Sequence, residues 1–135
     1  MVRIEVSFSA ISQHEDEPGM LRSRAYFHSL IADEVKKGIP SNRIVIGGFS
    51  QGAAMSLLSG LTCPQKLGGI FALSSYLPLQ AKLKDLIAEK GNANKDTKIF
   101  MGHGDADPLV RHEWGKLSSE KLKEWGYSVD FKTYP

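Results

Sequence analysis

Hydrophobic and polar positions along the chain alternate in blocks whose periods switch between helix and strand. From Met20 to Lys37 the apolar residues Phe27, Leu30, Ile31 and Val35 recur at helical spacing, and Gly38 followed by Pro40 supplies a stop. Arg43 to Gly47 is short and continuous in β-branched residues (Ile44, Val45, Ile46), the pattern of a strand buried on both faces. Ala53 to Leu58 is apolar almost all round and predicts a buried helix. Gly69 to Leu73 reads as a second buried strand ending at Ser74-Ser75, Lys82 to Glu89 as a short helix, and Lys98 to Gly102 as a third strand. Leu117, Leu122 and Trp125 then mark an amphipathic helix closed by Gly126. In the last segment Val129, Phe131 and Thr133 alternate with Asp130 and Lys132, as expected of a strand nearer the edge of a sheet.

Helix, strand, helix, strand in regular succession predicts an α/β domain, a mostly parallel sheet with helices on both faces. Gln13 to Gly19 is polar and ends in a Pro-Gly turn signal. No repeat or low-complexity tract interrupts the pattern, and 135 residues are one domain's worth of chain.

Composition changes this picture little. The chain is 41% hydrophobic and 24% charged with a formal charge of +2, which suits a soluble domain and gives no reason to expect nucleic acid as a partner. Cys63 is the sole cysteine, so no internal disulfide or Cys-based metal site is expected, and an idle buried thiol is. No apolar run approaches the ~20 residues of a membrane helix, and Met1 to Ala10 lacks the layout of a signal peptide, so a cytoplasmic location without stable membrane insertion is expected.

Chemistry enters at Gly48-Phe49-Ser50-Gln51-Gly52. A G-x-S-x-G run arises by chance in roughly one chain of this length in twenty, so its context decides its meaning. Here it directly follows a buried strand and directly opens a buried helix. A tight strand-to-helix turn exposes a serine hydroxyl to a base, and places the next N–H at a helix N-terminus where it can meet a developing oxyanion. Ser50 is therefore a candidate nucleophile and the backbone N–H of Gln51 a candidate oxyanion donor. The third strand runs out into Gly102-His103-Gly104-Asp105-Ala106-Asp107-Pro108-Leu109-Val110. Catalytic groups of parallel sheets gather past the carboxyl ends of the strands, and an acid there fits the chain order Ser, Asp, His. Asp105 and Asp107 both qualify as that acid, and either could equally hold the loop. Of the histidines, His14 and His28 precede the serine, His103 belongs to a strand end, and His112 opens a surface helix. None is placed as a base.

Four segments resemble the acyl-protein thioesterases of the lysophospholipase/carboxylesterase family: Gly38 to Gly52, Leu73-Ser74-Ser75-Tyr76-Leu77-Pro78-Leu79, His103 to Val110, and Phe131-Lys132-Thr133-Tyr134. Wording closest to fungal members lies at Ser12 to Glu17 and Ser23 to His28. The resemblance runs from about Ile11 to Tyr134 of a single partial domain. It implies the α/β-hydrolase fold and a cytoplasmic, in part nuclear, cofactor-free serine hydrolase. Its reaction would be removal of S-linked fatty acyl groups from palmitoylated proteins, with lysophospholipids as further substrates. It also implies Asp107, the residue before Pro-Leu-Val, as the acid of the triad, and places Leu77 and Leu79 beside an acyl-chain channel, where core packing explains them as well.

The family pattern differs from this chain at both ends. A His-Gly-Leu-Gly-Asp loop, source of a second oxyanion donor, has no counterpart before Ile11, and the Gly-x-x-His segment bearing the base is not reached by Pro135. The expectation is a hydrolase fold lacking early strands and the C-terminal histidine loop and helix, with activity impaired. A small-ester carboxylesterase or lysophospholipase, and a non-catalytic fragment binding a lipidated partner, are the alternatives.

Overall fold

The computed structural model describes residues 2–6, as backbone, and residues 16–135. Five strands, β1 (Val2–Val6), β2 (Ile44–Phe49), β3 (Gly69–Leu73), β4 (Ile99–Gly104) and β5 (Val129–Tyr134), form one sheet in the order β1-β2-β3-β4-β5. All neighbours are parallel. Between them lie α1 (Glu17–Lys36), α2 (Gln51–Leu61), α3 (Gln80–Glu89) and α4 (His112–Glu124). The α/β class, the parallel sheet and the edge position of the last strand are as expected. β1 is a strand that the sequence reading did not include, although Val2, Ile4 and Val6 alternate with Arg3 and Glu5. It forms against β2 in the register Val2↔Ile44 to Val6↔Gly48, where the edge of β2 offers its backbone groups.

α1 begins earlier than the apolar period suggested. Asp16 caps it by accepting from Gly19 N at 3.2 Å, and Pro18 sits in the first turn. A proline there loses no helical hydrogen bond, so Pro-Gly opens a helix rather than a turn.

The core lies on one face of the sheet. Ile44, Ile46, Ile70, Ala72, Ile99 and Met101 meet Ile31 of α1, Leu57, Leu58 and Leu61 of α2, Leu83 and Ile87 of α3, and Leu122 of α4. α2 is buried along nearly its whole length, as its all-round apolar pattern predicted. Each fully buried leucine there contributes about 1.5–3 kcal/mol of burial free energy. Gly60 lets α2 approach the sheet closely, since a Cβ on it would fall 2.6 Å from Ile70 Cδ1. Side chains of the alternate register, Val45, Phe71, Leu73 and Phe100, are half-buried, and Phe49 is 61% exposed. Among the described residues the buried leucines and isoleucines of α1 to α4 all belong to the cluster on the first face, whereas the sequence predicted helices on both faces.

α4 differs from its sequence reading. Leu117 is exposed, and the buried stripe is Gly115, Ser118, Ser119 and Leu122. Small residues at helical spacing bring α4 close to β4, a face that a search for large apolar residues passes over.

Candidate active site

β2 ends in Phe49, and Ser50 turns the chain straight into α2 with φ 59° and ψ −121°. Such a left-handed conformation is sparsely populated for a residue with a Cβ, and costs of order 1–3 kcal/mol. The ladder holds it in place: Ser50 N donates to Leu73 O at 2.8 Å on one side, and Ser50 O accepts from Ala54 N at 3.1 Å as the helix starts. The serine hydroxyl neither caps α2 nor finds any hydrogen-bond partner among the described residues, although it is buried. Gln51 is the first residue of α2, where an N–H has no acceptor within its own helix and feels the positive end of the helix dipole. An unpartnered hydroxyl beside the first N–H of a helix is the arrangement that attack on a carbonyl needs.

The carboxyl ends of the next strands stand in register beside this turn. Phe49 pairs with Leu73 and Leu73 with Gly102, so Ser50 and Ser74 both project from the same edge of the sheet. Ser74 shares the left-handed backbone, with φ 54°, and its N donates to Gly102 O at 2.8 Å.

Beyond β4 the chain loops through Asp107. Its Oδ1 accepts from Leu109 N at 2.9 Å and Val110 N at 3.0 Å. The Ser74 hydroxyl also donates to this carboxylate, and His103 Nε2 stands 3.7 Å from Oδ2. Partial burial pushes the carboxyl upward. The amides of Val110 and Leu109, the Ser74 hydroxyl and the nearby His103 together outweigh that and hold it below the ordinary carboxylate value. Asp105, the competing acid, is exposed, with its backbone N bonded to Tyr134 O at 2.8 Å. The structure thus brings Ser50, Gln51 and Asp107 to one sheet edge and places Ser74 next to Asp107. Ser74 was seen in the sequence only as a strand end; its role needs the β3–β4 register, which no local pattern reveals.

Each of the described histidines is hydrogen-bonded to a group other than Ser50. His103 is buried and donates Nε2–H to Val110 O at 2.7 Å, tying the start of α4 to β4. Gly115 makes room for it, since a Cβ there would fall 2.3 Å from His103 Nδ1. His112 opens α4, with Nε2 2.8 Å from Thr133 Oγ1, and packs its ring near Phe131. His28 donates Nε2–H to Ser59 O at 2.7 Å, a tie between α1 and α2. Burial lowers its pKa, the Ser59 bond opposes that, and Arg24 and Lys90 add to the lowering. His14 lies outside the described residues.

Leu77 and Leu79 are buried in the core cluster, and Leu77 N donates to Ser118 Oγ at 3.0 Å. Cys63 is buried too, and burial pushes its thiol up, away from thiolate chemistry. Among the described residues no group of His, Cys, Asp and Glu side chains is gathered that could hold a metal ion, and no helix is long and apolar enough to cross a membrane.

Residues 5–135 match the phospholipase/carboxylesterase family, reaching further toward the N-terminus than the segments first quoted for the resemblance. The chain is similar to acyl-protein thioesterase 1 of Neurospora crassa, with 56% identity over 132 residues, covering 98% of this chain and 54% of the relative. It is also similar to acyl-protein thioesterase 1 of Aspergillus fumigatus, at 52% identity, covering 97% of this chain and 54% of that protein. The chain spans about half the length of these relatives. Among solved structures it resembles Arabidopsis thaliana SOBER1, with TM-score 0.82 and 34% identity, over 90% of this chain and 57% of that one. A second likeness is Zea mays acyl-protein thioesterase 2, with TM-score 0.74 and 29% identity, over 96% of this chain and 62% of that one. With its nucleophile-type turn, its parallel sheet and a match over nearly its whole length, the chain belongs to the phospholipase/carboxylesterase family of α/β-hydrolases.

Proposed function

We propose that the protein is an acyl-protein thioesterase in which Ser50 is the nucleophile, Gln51 N–H an oxyanion donor and Asp107 the acid of a Ser-Asp-His triad. The observation that carries this reading is the Ser50 hydroxyl, buried yet without a hydrogen-bond partner among the described residues, at a left-handed turn on the same sheet edge as the ionised Asp107. Ser50 Oγ would attack the thioester carbonyl linking a fatty acyl group to a protein cysteine. The tetrahedral oxyanion would be met by Gln51 N–H, the cysteine thiolate would leave, and water would release the fatty acid from the acyl-serine. The names of the relatives support S-acylated proteins as the substrate class.

The base is the part the described residues do not provide, since His28, His103 and His112 are each hydrogen-bonded to another group. Loss of a triad member leaves roughly 10³–10⁴-fold acceleration over water, so the 135-residue chain is expected to be a poor catalyst by itself. Added imidazole should partly restore hydrolysis of a short-chain thioester, and Ser50→Ala should abolish that restoration. Equal rates with and without Ser50 would refute the nucleophile. Rapid turnover without imidazole would refute the missing base. The family's description also names carboxylesterases, which supports small esters as a second reading, and a rate that falls steadily with acyl length would select it.

A further inference from the structure

β5 is an edge strand whose outer side no described strand covers. Its hydrogen bonds to β4 fix which residues face outward. Ile99 N donates to Ser128 O at 2.9 Å, and Asp105 N donates to Tyr134 O at 2.8 Å. In a parallel pair alternate residues bond to the neighbour with both N–H and C=O, so Ser128, Asp130, Lys132 and Tyr134 turn their backbone groups to β4. Val129, Phe131 and Thr133 turn theirs to the open edge.

The sequence of this edge is complementary to itself when reversed. About a twofold axis at Phe131, an antiparallel second copy sets Phe131 against Phe131 and Val129 against Thr133. These are the outward-facing residues, so both kinds of pair exchange reciprocal N–H···O=C bonds. Between them Asp130 falls opposite Lys132 of the second copy, and Lys132 opposite its Asp130. Those positions are the non-hydrogen-bonded pairs, where opposing Cα atoms come within about 4.5 Å and side chains interact most closely. Asp130 and Lys132 are both exposed and lie on the same side of the sheet. A shift of register by one residue would break the charge pairing and the backbone pairing together. Helix α4 packs over β4 and β5 on the opposite face of the sheet from Asp130 and Lys132, so it does not obstruct this edge charge pairing.

We propose that β5 is a dimerisation edge: two copies of this chain join through an antiparallel β5–β5 pair centred on Phe131, making one continuous sheet. The partner is a second copy because the same short segment supplies both charges and both backbone sets. This inference is independent of the hydrolase reading. Charges on an edge strand can also serve to keep strands apart, and the test separates the two roles.

Sedimentation of the 135-residue chain should give a concentration-dependent species of twice 14.9 kDa. Asp130→Lys and Lys132→Asp, each of which sets like charges opposite one another twice, should weaken that dimer at least roughly tenfold. The double variant with both changes restores opposite charges and should recover it. Because the single variants could lose the fold, circular dichroism accompanies each. The variant Asp130→Cys with Lys132→Cys gives an independent reading: under mild oxidation it should form a covalent dimer, since disulfides accept Cα separations of about 4.4–6.8 Å. A monomer at all concentrations, open-ended aggregation, a dimer indifferent to the single reversals, or failure of the cysteine variant to cross-link would each overturn the proposal.

Discussion

Ser50 and Asp107 reach the same edge of the sheet by opposite means. Ser50 is placed by backbone alone: a strained dihedral pair, a ladder bond to Leu73 O, and a helix buried from Gly52 to Leu61 behind it. Its side chain has no hydrogen-bond partner among the described residues. Asp107 sits in an irregular loop with no regular element under it, and is placed by its side chain, which collects two amides and the Ser74 hydroxyl. The proposed nucleophile must keep its oxygen free, so packing has to do the positioning. The proposed acid, whose task would be to remain charged, can be positioned by the same hydrogen bonds that keep it ionised. The contrast predicts that the two regions fail differently when disturbed.

The largest effect should come from the packing behind the turn. Leu57→Ala removes a fully buried side chain of α2 and should cost about 2–5 kcal/mol in urea unfolding. If the turn relied on local bonds instead, the loss would stay under ~1 kcal/mol, and the contrast would collapse. Asp107→Ala comes next. It strands the amides of Leu109 and Val110, which water can partly reach, and should cost about 1–2 kcal/mol. Asp107→Asn keeps one acceptor oxygen and should lose less. A smaller change of opposite sign is expected at Ser50→Gly. Relief of the left-handed strain should outweigh the greater entropy of a free glycine chain and raise stability by about 1 kcal/mol. A drop in stability would mean the hydroxyl is doing unrecognised structural work.

These two modes also explain what could be read from sequence. The turn was legible because it rests on local order: Ile44, Val45 and Ile46 announce a strand, the glycines a tight turn, and Ala53 to Leu58 a buried helix. The choice between Asp105 and Asp107 was not legible from residue type, because what separates them is a loop conformation and a serine one strand away. β1, by contrast, was legible. Val2, Ile4 and Val6 alternate with Arg3 and Glu5 just as the residues of β5 do, a short strand pattern that was passed over and that pairs with the edge of β2. α4 was located correctly and its Leu122 and Trp125 face the core as expected, but Leu117 does not, because the rest of the buried stripe is Gly115, Ser118 and Ser119, with Gly115 leaving room for His103.

The smallest prediction concerns acid, and it sets the two regions against each other on one axis. His28 joins α1 to α2, the helix that backs Ser50, and burial lowers its pKa from 6.5. The folded protein therefore prefers the neutral imidazole, and the unfolded chain binds a proton more readily. Stability carried by this tie is present above pH 6.5 and fades as the pH falls through that value toward the lower folded pKa. Asp107 is lowered from 3.8, so its contribution is present above 3.8 and is lost only as the pH drops further. Acid should thus loosen the backbone-built region first and the side-chain-built loop second. Urea midpoints measured between about pH 7.5 and pH 4.5 should decline in the native chain and decline less in His28→Gln, which can still donate to Ser59 O without titrating. An equal decline in both would place the acid-sensitive group elsewhere, and leave α2 anchored by its apolar packing alone.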